Sequence, residues 1–316
     1  MASSIVAVAG GTGNLGRTIV KALVDSGRFQ VFVLGRKADP EKEKILRARI
    51  LPTDYTDPSS LVTLLEENKI DTVLSVVMND DGPETEINLS DAAEKSRVTR
   101  RFVPAIWGCK CQPEVAKWSP FIGDRIKVLE ALESTSLEWT AVHNGYFADY
   151  FVGPRIPTEF DRNLFPGIDT QNNVAAIPGS GDVHAVFTHT ADVAKFAVAL
   201  LGSEDKWEKE SNIVGQRITL NELVKKLEHV KGEKFSVSYD PVEKLEQGKI
   251  TELPCHKEAY GYFPKEALQG MFSSFGLMFE RGVFEVDMER TLNKKFPEVH
   301  ARSVDELIAE GWGAGK

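Results

Sequence analysis

Apolar residues arrive in two alternating rhythms along the first half of the chain. Ile5–Ala9 is an unbroken apolar run rich in valine, the pattern of a strand buried on both faces. Residues 17–24 follow with Ile19, Val20 and Leu23 at helical spacing and stop before Gly27. Residues 30–34, "QVFVL", predict the second strand, and Ile50 with Leu51 a weak third. Asp57-Pro58 then opens a helix lined by Leu61, Leu64 and Leu65. Asp suits the N-cap and Pro the first helical position, where no backbone N–H is needed. Residues 71–78, 98–103 and 139–143 supply the fourth, fifth and sixth strands, with helical stretches between them. Short strands alternating with helices, the strands nearly continuous in apolar character, predict an α/β fold around a parallel sheet.

The second half changes rhythm. Residues 153–181 are rich in Pro, Gly and Asn and read as loop with short elements. "FTHTADVAKFAVALL" returns to a helical period with Thr190 as its expected N-cap. "TLNELVKKLEHVKG" carries a capping box, Thr219 with Glu222, and its apolar residues share one face up to Gly232. "SVDELIAEGW" repeats that logic with Ser303 and Glu306. The division expected is a first domain over residues 1–153 and a smaller, mostly helical lobe over 154–316. Residues 183–202 are expected to pack back on the first domain.

The turn after the first strand is where chemistry enters. Gly11-Thr12-Gly13-Asn14-Leu15-Gly16 fits G-x-G-x-x-G, and Gly10, Gly13 and Gly16 fit G-x-x-G-x-x-G. A strand precedes the motif and a helix follows it, which is the context a dinucleotide fingerprint requires. A sharp reversal and a pyrophosphate lying close to the backbone both exclude Cβ, and the helix offers unpaired N–H groups to the anion. The fold class is therefore a Rossmann-type doubly wound sheet with a smaller substrate lobe. Gly10, Thr12, Gly13, Asn14, Leu15 and Gly16 are the cofactor-binding residues expected here. The second strand ends "VLGRKAD", with Arg36 and Lys37 where an NAD site usually carries Asp or Glu. Guanidinium and ammonium groups suit a 2′-phosphate, so the cofactor expected is NADP(H). Asp54 after the third strand either accepts from the adenine amine or closes an Asx-turn. Met78 and Asn79 after the fourth strand lie where the ligand is expected.

Charge and cysteine content narrow the classes. The formal net charge of −9 argues against nucleic-acid binding, which needs a basic face. No signal peptide or membrane-length apolar run is read from the sequence, and three cysteines are too few for a disulfide framework. The expected location is the cytoplasm, with no membrane partner. Cys109-Lys110-Cys111 lacks the second matched pair a zinc site needs, so no metal is expected.

The motifs together resemble the NmrA-like and isoflavone-reductase-like family of atypical short-chain dehydrogenases, over nearly the whole length. The resemblance rests on "VAGGTGNLG", "LGRK", "DYTDPSSL", "RFVPAIWG", "WTAVHNGYFADYF", "FTHTADVAKF" and "FPEVHARSVDELIAEGW". It implies NADP(H) binding and, in many members, reduction of aromatic or phenylpropanoid-like molecules. Other members bind the nucleotide and act as redox-responsive regulators. Two departures matter. The Tyr-x-x-x-Lys of the main dehydrogenase type is absent, since Tyr262 and Lys265 are one residue too close. Where the family's reductases carry a lysine after the fifth strand, "FIGDRIKVLEALES" has Arg125, and Lys127 lies on another helix face. Arginine stays protonated, so it is a poor proton donor but can stabilise a developing oxyanion. "VPAIWG" replaces the family's Ser and Glu by Ala105 and Ile106. Trp107, Tyr146 and Phe147 would line a flat, apolar substrate site. His143 and Tyr146 are the candidates for proton transfer, with Arg125 beside them. Two readings stand: an NADPH-dependent reductase of a small aromatic or conjugated metabolite, and a non-catalytic NADP(H)-binding regulator acting through protein contacts. An isomerase retaining NADP is a further alternative. The partner expected is a small molecule, with a protein partner or homodimer left open.

Overall fold

The structure, a computed structural model, describes residues 2–78, 82–152, 155–160 and 165–313. Six parallel strands form the central sheet: β1 (Ile5–Ala9), β2 (Gln30–Gly35), β3 (Arg49–Pro52), β4 (Thr72–Ser75), β5 (Arg101–Val103) and β6 (Glu138–Trp139). Their order is β3-β2-β1-β4-β5-β6. The order reverses between β1 and β4, the point where ligands of open α/β sheets bind. Helices α1 (Asn14–Asp25), α2 (Pro40–Leu46), α3 (Pro58–Glu67), α4 (Glu84–Lys95), α5 (Pro113–Ala116) and α6 (Pro120–Glu133) connect them.

The strands are continuous in apolar character because both faces are covered. On β1, Val6 and Val8 point to one layer and Ala7 and Ala9 to the other, as the two-residue period demands. The opposite layer brings Leu61 and Leu65 of α3, Leu89 and Ala93 of α4, and Val128 and Leu132 of α6 onto Ala7, Ala9 and Phe32. Each fully buried Leu or Val contributes about 1.5–3 kcal/mol.

The chain leaves the sheet after Trp139. The strand expected over 139–143 is two pieces, because Thr140 interrupts it: β6 pairs with β5, and β7 (Ala141–His143) pairs elsewhere. Beyond lie β8 (Tyr146–Phe147), α7 (Asp149–Val152), β9 (Ile168–Asp169), β10 (Val174–Pro178), β11 (His184–Thr188) and α8 (Thr190–Gly202). Then come β12 (Glu210–Asn212), β13 (Gln216–Thr219), α9 (Leu220–Lys231), β14 (Ser236–Asp240), α10 (Val242–Glu246), α11 (Pro254–Ala259), α12 (Lys265–Glu280), α13 (Leu292–Lys295) and α14 (Val304–Trp312). Short sheets of order β13-β11-β8 and β14-β10-β9 thread this part, so the loop-like 153–181 stretch contributes two strands. β12 pairs in parallel with β7.

Helix α8 lies on α1: Phe196, Ala197 and Leu200 share a core with Ile19, Val20 and Leu23. The capping boxes of α9 and α14 form as their spacing predicts. Thr190 is not the cap of α8. Its amide and hydroxyl go to the buried carboxylate of Asp149 (2.9 and 2.6 Å), and His189 Nδ1 accepts the Ala191 amide instead (3.1 Å).

One buried clamp holds the far edge of the sheet. Arg101 is 2% exposed, and its guanidinium donates to Glu138 (2.7 Å) and to the carbonyls of Ser203 (3.0 Å) and Asp205 (3.1 Å). It also stacks on Trp207 at 4.4 Å.

Candidate functional site

The three glycines of G-x-G-x-x-G do different work. A Cβ on Gly11 would sit 3.0 Å from both Val20 and Val33, so it lets α1 pack closely on β2. A Cβ on Gly16 would lie 2.3 Å from the Gly10 carbonyl oxygen, so it lets the turn fold against the helix. Gly13 is unlike both: a Cβ there meets only the Gly10 oxygen, at 3.4 Å, and otherwise projects into open space. The backbone around it closes through Gly13 N–H to Gly10 O (3.0 Å) and Arg17 N–H to Gly13 O (2.8 Å). Gly10 itself has φ +77° and presses against Val76 and Val77 after β4, where any side chain would collide at 2.8 Å. Helix α1 carries no side-chain cap and no acidic residue in its first turn. Its positive end therefore faces the open side of the turn.

Arg36 and Lys37 leave the end of β2 exposed, and neither forms a hydrogen bond or ion pair with a described residue. Asp39, by contrast, caps α2 through the Lys42 amide (3.0 Å) and pairs with the Lys42 ammonium (3.1 Å). Asp54 accepts from the amide (2.8 Å) and hydroxyl (2.7 Å) of Thr56, which is the Asx-turn arrangement. Its neighbour Tyr55 donates to the Leu34 carbonyl (3.1 Å), closing the floor beside Arg36. Asn79 lies outside the described residues.

The other half of the site surrounds the loop after β5. Ala105 donates its amide to Glu86 of α4 (2.5 Å), a carboxylate with no exposed surface. Trp107 donates its indole N–H to the Ser75 carbonyl (2.8 Å), tying the loop to β4. Arg125 of α6 stacks its guanidinium on Phe121 at 3.9 Å. Burial weakens its hold on its proton, and the nearby Cys109, Cys111 and Glu86 oppose that effect. Lys127 instead pairs with Asp124 (2.9 Å) on the exposed face. Met78 stands 80% exposed at the end of the β4 segment.

The two candidate proton donors are buried. His143 sits at the end of β7, 2% exposed. Burial holds its pKa down at about 4, with Lys110 and Arg125 acting in the same direction against Glu210 and the Cys109 carbonyl. Its Nδ1 has no partner among the described residues. Tyr146 is enclosed by Tyr150, Phe165, Phe187, Phe275, Phe279 and Phe284, all with ring centroids within 6.4 Å. Burial, with a smaller push from Tyr150, raises its phenol well above the usual tyrosine range. Neither side chain is poised to exchange a proton near neutral pH. Trp107 and Tyr146 are core residues by burial, whereas Phe147 is partly exposed and packs on Phe160 at 5.4 Å.

Sequence reasoning missed Glu86 and Glu159. The signal for Glu86 was present: it shares the 86, 89, 90, 93 face of α4 with Leu89, Ser90 and Ala93, all buried, and a carboxylate on an apolar face is informative. Glu159 had no such signal. It pairs with Arg17 of α1 (2.9 Å), while Thr158 donates to the buried Asp149. Residues 155–160 thereby cross from α7 to the glycine-rich turn. Among the described residues, no group of three or more His, Cys, Asp or Glu is placed to hold a metal, and no helix is long and apolar enough to span a membrane.

Comparison with known proteins agrees with this arrangement. Oxidoreductase BOA1 of Botryotinia fuckeliana is 33% identical over 300 residues, covering 93% of this chain and 95% of its own length. The bifunctional pinoresinol-lariciresinol reductase 2 of Thuja plicata is 28% identical, covering 97% of this chain and 98% of its own. Leucoanthocyanidin reductase of Vitis vinifera, solved as its binary complex with NADPH, superposes with a TM-score of 0.74 at 19% identity, covering 97% of this chain and 99% of that one. The sequence model of the NmrA-like family matches residues 2–308. With a glycine turn of that geometry and a match along almost its entire length, this chain belongs to the NmrA-like family.

Proposed function

We propose that the chain is an NADPH-dependent reductase of a small aromatic or conjugated metabolite. The observation that carries the reading is the open space beside Gly13, at the uncapped end of α1 and the switch point of the sheet. A pyrophosphate fits there because no Cβ intrudes and no side chain caps the first turn of α1. Arg36 and Lys37, free of carboxylate partners, suit a 2′-phosphate. The names of the relatives favour a reduction, and the NADPH complex of the structural neighbour favours the same cofactor.

When bound, NADPH supplies the hydride. The protein's own residues orient the substrate, exclude water and hold charge. Trp107 and Glu86 fix the loop after β5, and Phe147 offers an apolar wall. Arg125 stabilises the negative charge that develops on the substrate oxygen. The proton that completes the reduction is taken up from solvent by the Arg125-held oxyanion as the product leaves, so neither His143 nor Tyr146 is needed as its carrier. The test is NADPH oxidation against a panel of conjugated carbonyls and aryl ethers. Arg125→Ala should lower kcat by about 10²–10³-fold and leave NADPH affinity within twofold. Normal turnover in that variant would remove Arg125 from the reaction.

A second reading, an NADP(H)-binding regulator without turnover, draws on the burial of His143 and Tyr146. It expects tight NADPH binding and no oxidation with any panel member.

A further inference from the structure

Exposed sheet edges invite further strands, and proteins guard them with charge, proline or shortness. β3 carries Arg49 and Pro52, β12 carries Glu210, β13 carries Arg217, and β6, β8 and β9 are two residues long. β14 is also an edge strand, by the order β14-β10-β9, but it has five residues. Ser236, Val237, Ser238 and Tyr239 are exposed and uncharged. Val237 keeps 40% and Tyr239 52% of its surface in water.

The open edge has a fixed pattern of donors and acceptors. β14 runs parallel to β10, with Val237 beside Ala175 and Tyr239 beside Ile177. Ser236 donates its amide to the Asn173 carbonyl (2.8 Å), and the Asp240 carbonyl accepts from Gly179 (2.8 Å). Alternation along the strand therefore turns the amides and carbonyls of Val237 and Tyr239 outward. Among the described residues no group meets them there. The window closes at both ends. The Phe235 amide goes to Glu228 of α9 (2.9 Å), and Pro241 has no N–H to offer.

We propose that β14 pairs with β14 of a second copy of the chain, antiparallel, about a two-fold axis at Ser238. Val237 then lies opposite the partner's Tyr239 and exchanges both backbone bonds with it, and symmetry repeats the exchange. All four outward groups of each chain are met. A shift of two residues sets Val237 against Pro241 or Tyr239 against the occupied Phe235 amide, and either leaves a carbonyl without a donor. The side chains match in the same register. Val237 and Tyr239 share the face on which Ala175 and Ile177 pack under α9, so each pairing sets a β-branched residue against an aromatic one. The Tyr239 hydroxyl, bonded to Asn221 (3.0 Å), holds its ring in place. The strand of another protein would have to reproduce this palindrome, whereas a second copy has it by identity. A short edge makes a small interface, so the dimer is weak, with a Kd at or above about 1 μM.

Sedimentation of the full chain between about 1 and 200 μM should show a reversible monomer–dimer equilibrium; a monomer throughout overturns the proposal. Val237→Pro removes an outward N–H and leaves the bonds to β10 in place. It should weaken the dimer about tenfold or more. Cysteine cross-linking reads the register. The two Ser238 residues form a non-hydrogen-bonded pair with Cα atoms about 4.5 Å apart, within disulfide reach. Ser236 faces the partner's Asp240, about 13 Å along the strand from the partner's Ser236. Under mild oxidation Ser238→Cys should become a covalent dimer, while Ser236→Cys should cross-link no faster than the parent with its native thiols. This pair decides the matter even where Val237→Pro fails to fold. Equal cross-linking of both variants, none in Ser238→Cys, or a dimer unaltered in folded Val237→Pro overturns the proposal.

Discussion

Gly13 and Gly16 lie three residues apart in one turn, yet the same substitution should have opposite consequences at each. At Gly16 an added methyl group meets backbone on three sides: the Gly10 oxygen at 2.3 Å, the Gly11 Cα at 2.7 Å and the Gly10 carbonyl carbon at 3.0 Å. No rotamer change relieves a clash with backbone. The turn must open by roughly 0.7 Å to restore the closest approach that real Cβ atoms make. Overpacking of this kind costs about 1–3 kcal/mol, so Gly16→Ala should lower Tm by several degrees. At Gly13 the methyl group has its nearest neighbour at 3.4 Å, and φ is −80°. The fold accepts alanine there, and its Tm should stay within about a degree because surface changes of this kind fall within ±0.5 kcal/mol. The open space that the methyl would fill is the space the pyrophosphate needs. Pushing the anion away forfeits a charge-assisted hydrogen bond of about 1.5–3 kcal/mol, or roughly 10- to 150-fold in Kd. Thermal melts and NADPH fluorescence titrations on the two variants measure both effects. A Gly13→Ala protein that melts normally and binds NADPH as tightly as the parent would refute the placement of the diphosphate.

Three other outcomes follow from the geometry. Arg36→Ala should lower the NADPH-to-NADH affinity ratio about tenfold or more, the loss of one charge-assisted contact; an unchanged ratio removes Arg36 from phosphate recognition. Arg101→Met leaves two carbonyls and Glu138 without their donor, which should cost about 3 kcal/mol, the low end for a broken buried pair because Glu138 keeps a quarter of its side chain in water; a denaturant midpoint equal to the parent's would refute the clamp. His143 is held neutral by burial, its folded pKa of about 4 lying below the unfolded value. Its contribution is thus complete above about pH 6.5 and lost as the pH falls toward 4. His189 and His256, also depressed chiefly by burial, add to that loss. His143→Gln should flatten the fall in stability between those pH values, and an unaltered slope in chemical denaturation would contradict the assignment.

The sheet was legible from the sequence because its signals are local. A parallel strand covered on both faces must be continuously apolar, and Ile5–Ala9 is. Helices α9 and α14 announce themselves by capping boxes that need only four consecutive residues. The dinucleotide turn is local too, since the absence of Cβ at Gly10, Gly13 and Gly16 is written into the chain. The strand over 139–143 misled because its two halves find partners far apart in sequence, β5 for one and β12 for the other. Thr190 looked like a cap, but Asp149, forty-one residues away, claimed both its hydroxyl and its amide. Burial decided the proton chemistry: composition gives His143 and Tyr146 ordinary titration, and only the packing of six aromatic rings and a sealed strand end withdraws them from solvent. The same holds for Arg125, whose identity is in the sequence but whose electrostatic surroundings depend on where Glu86 and two thiols come to rest. Backbone geometry follows from neighbours along the chain, whereas charge and protonation state follow from neighbours in space.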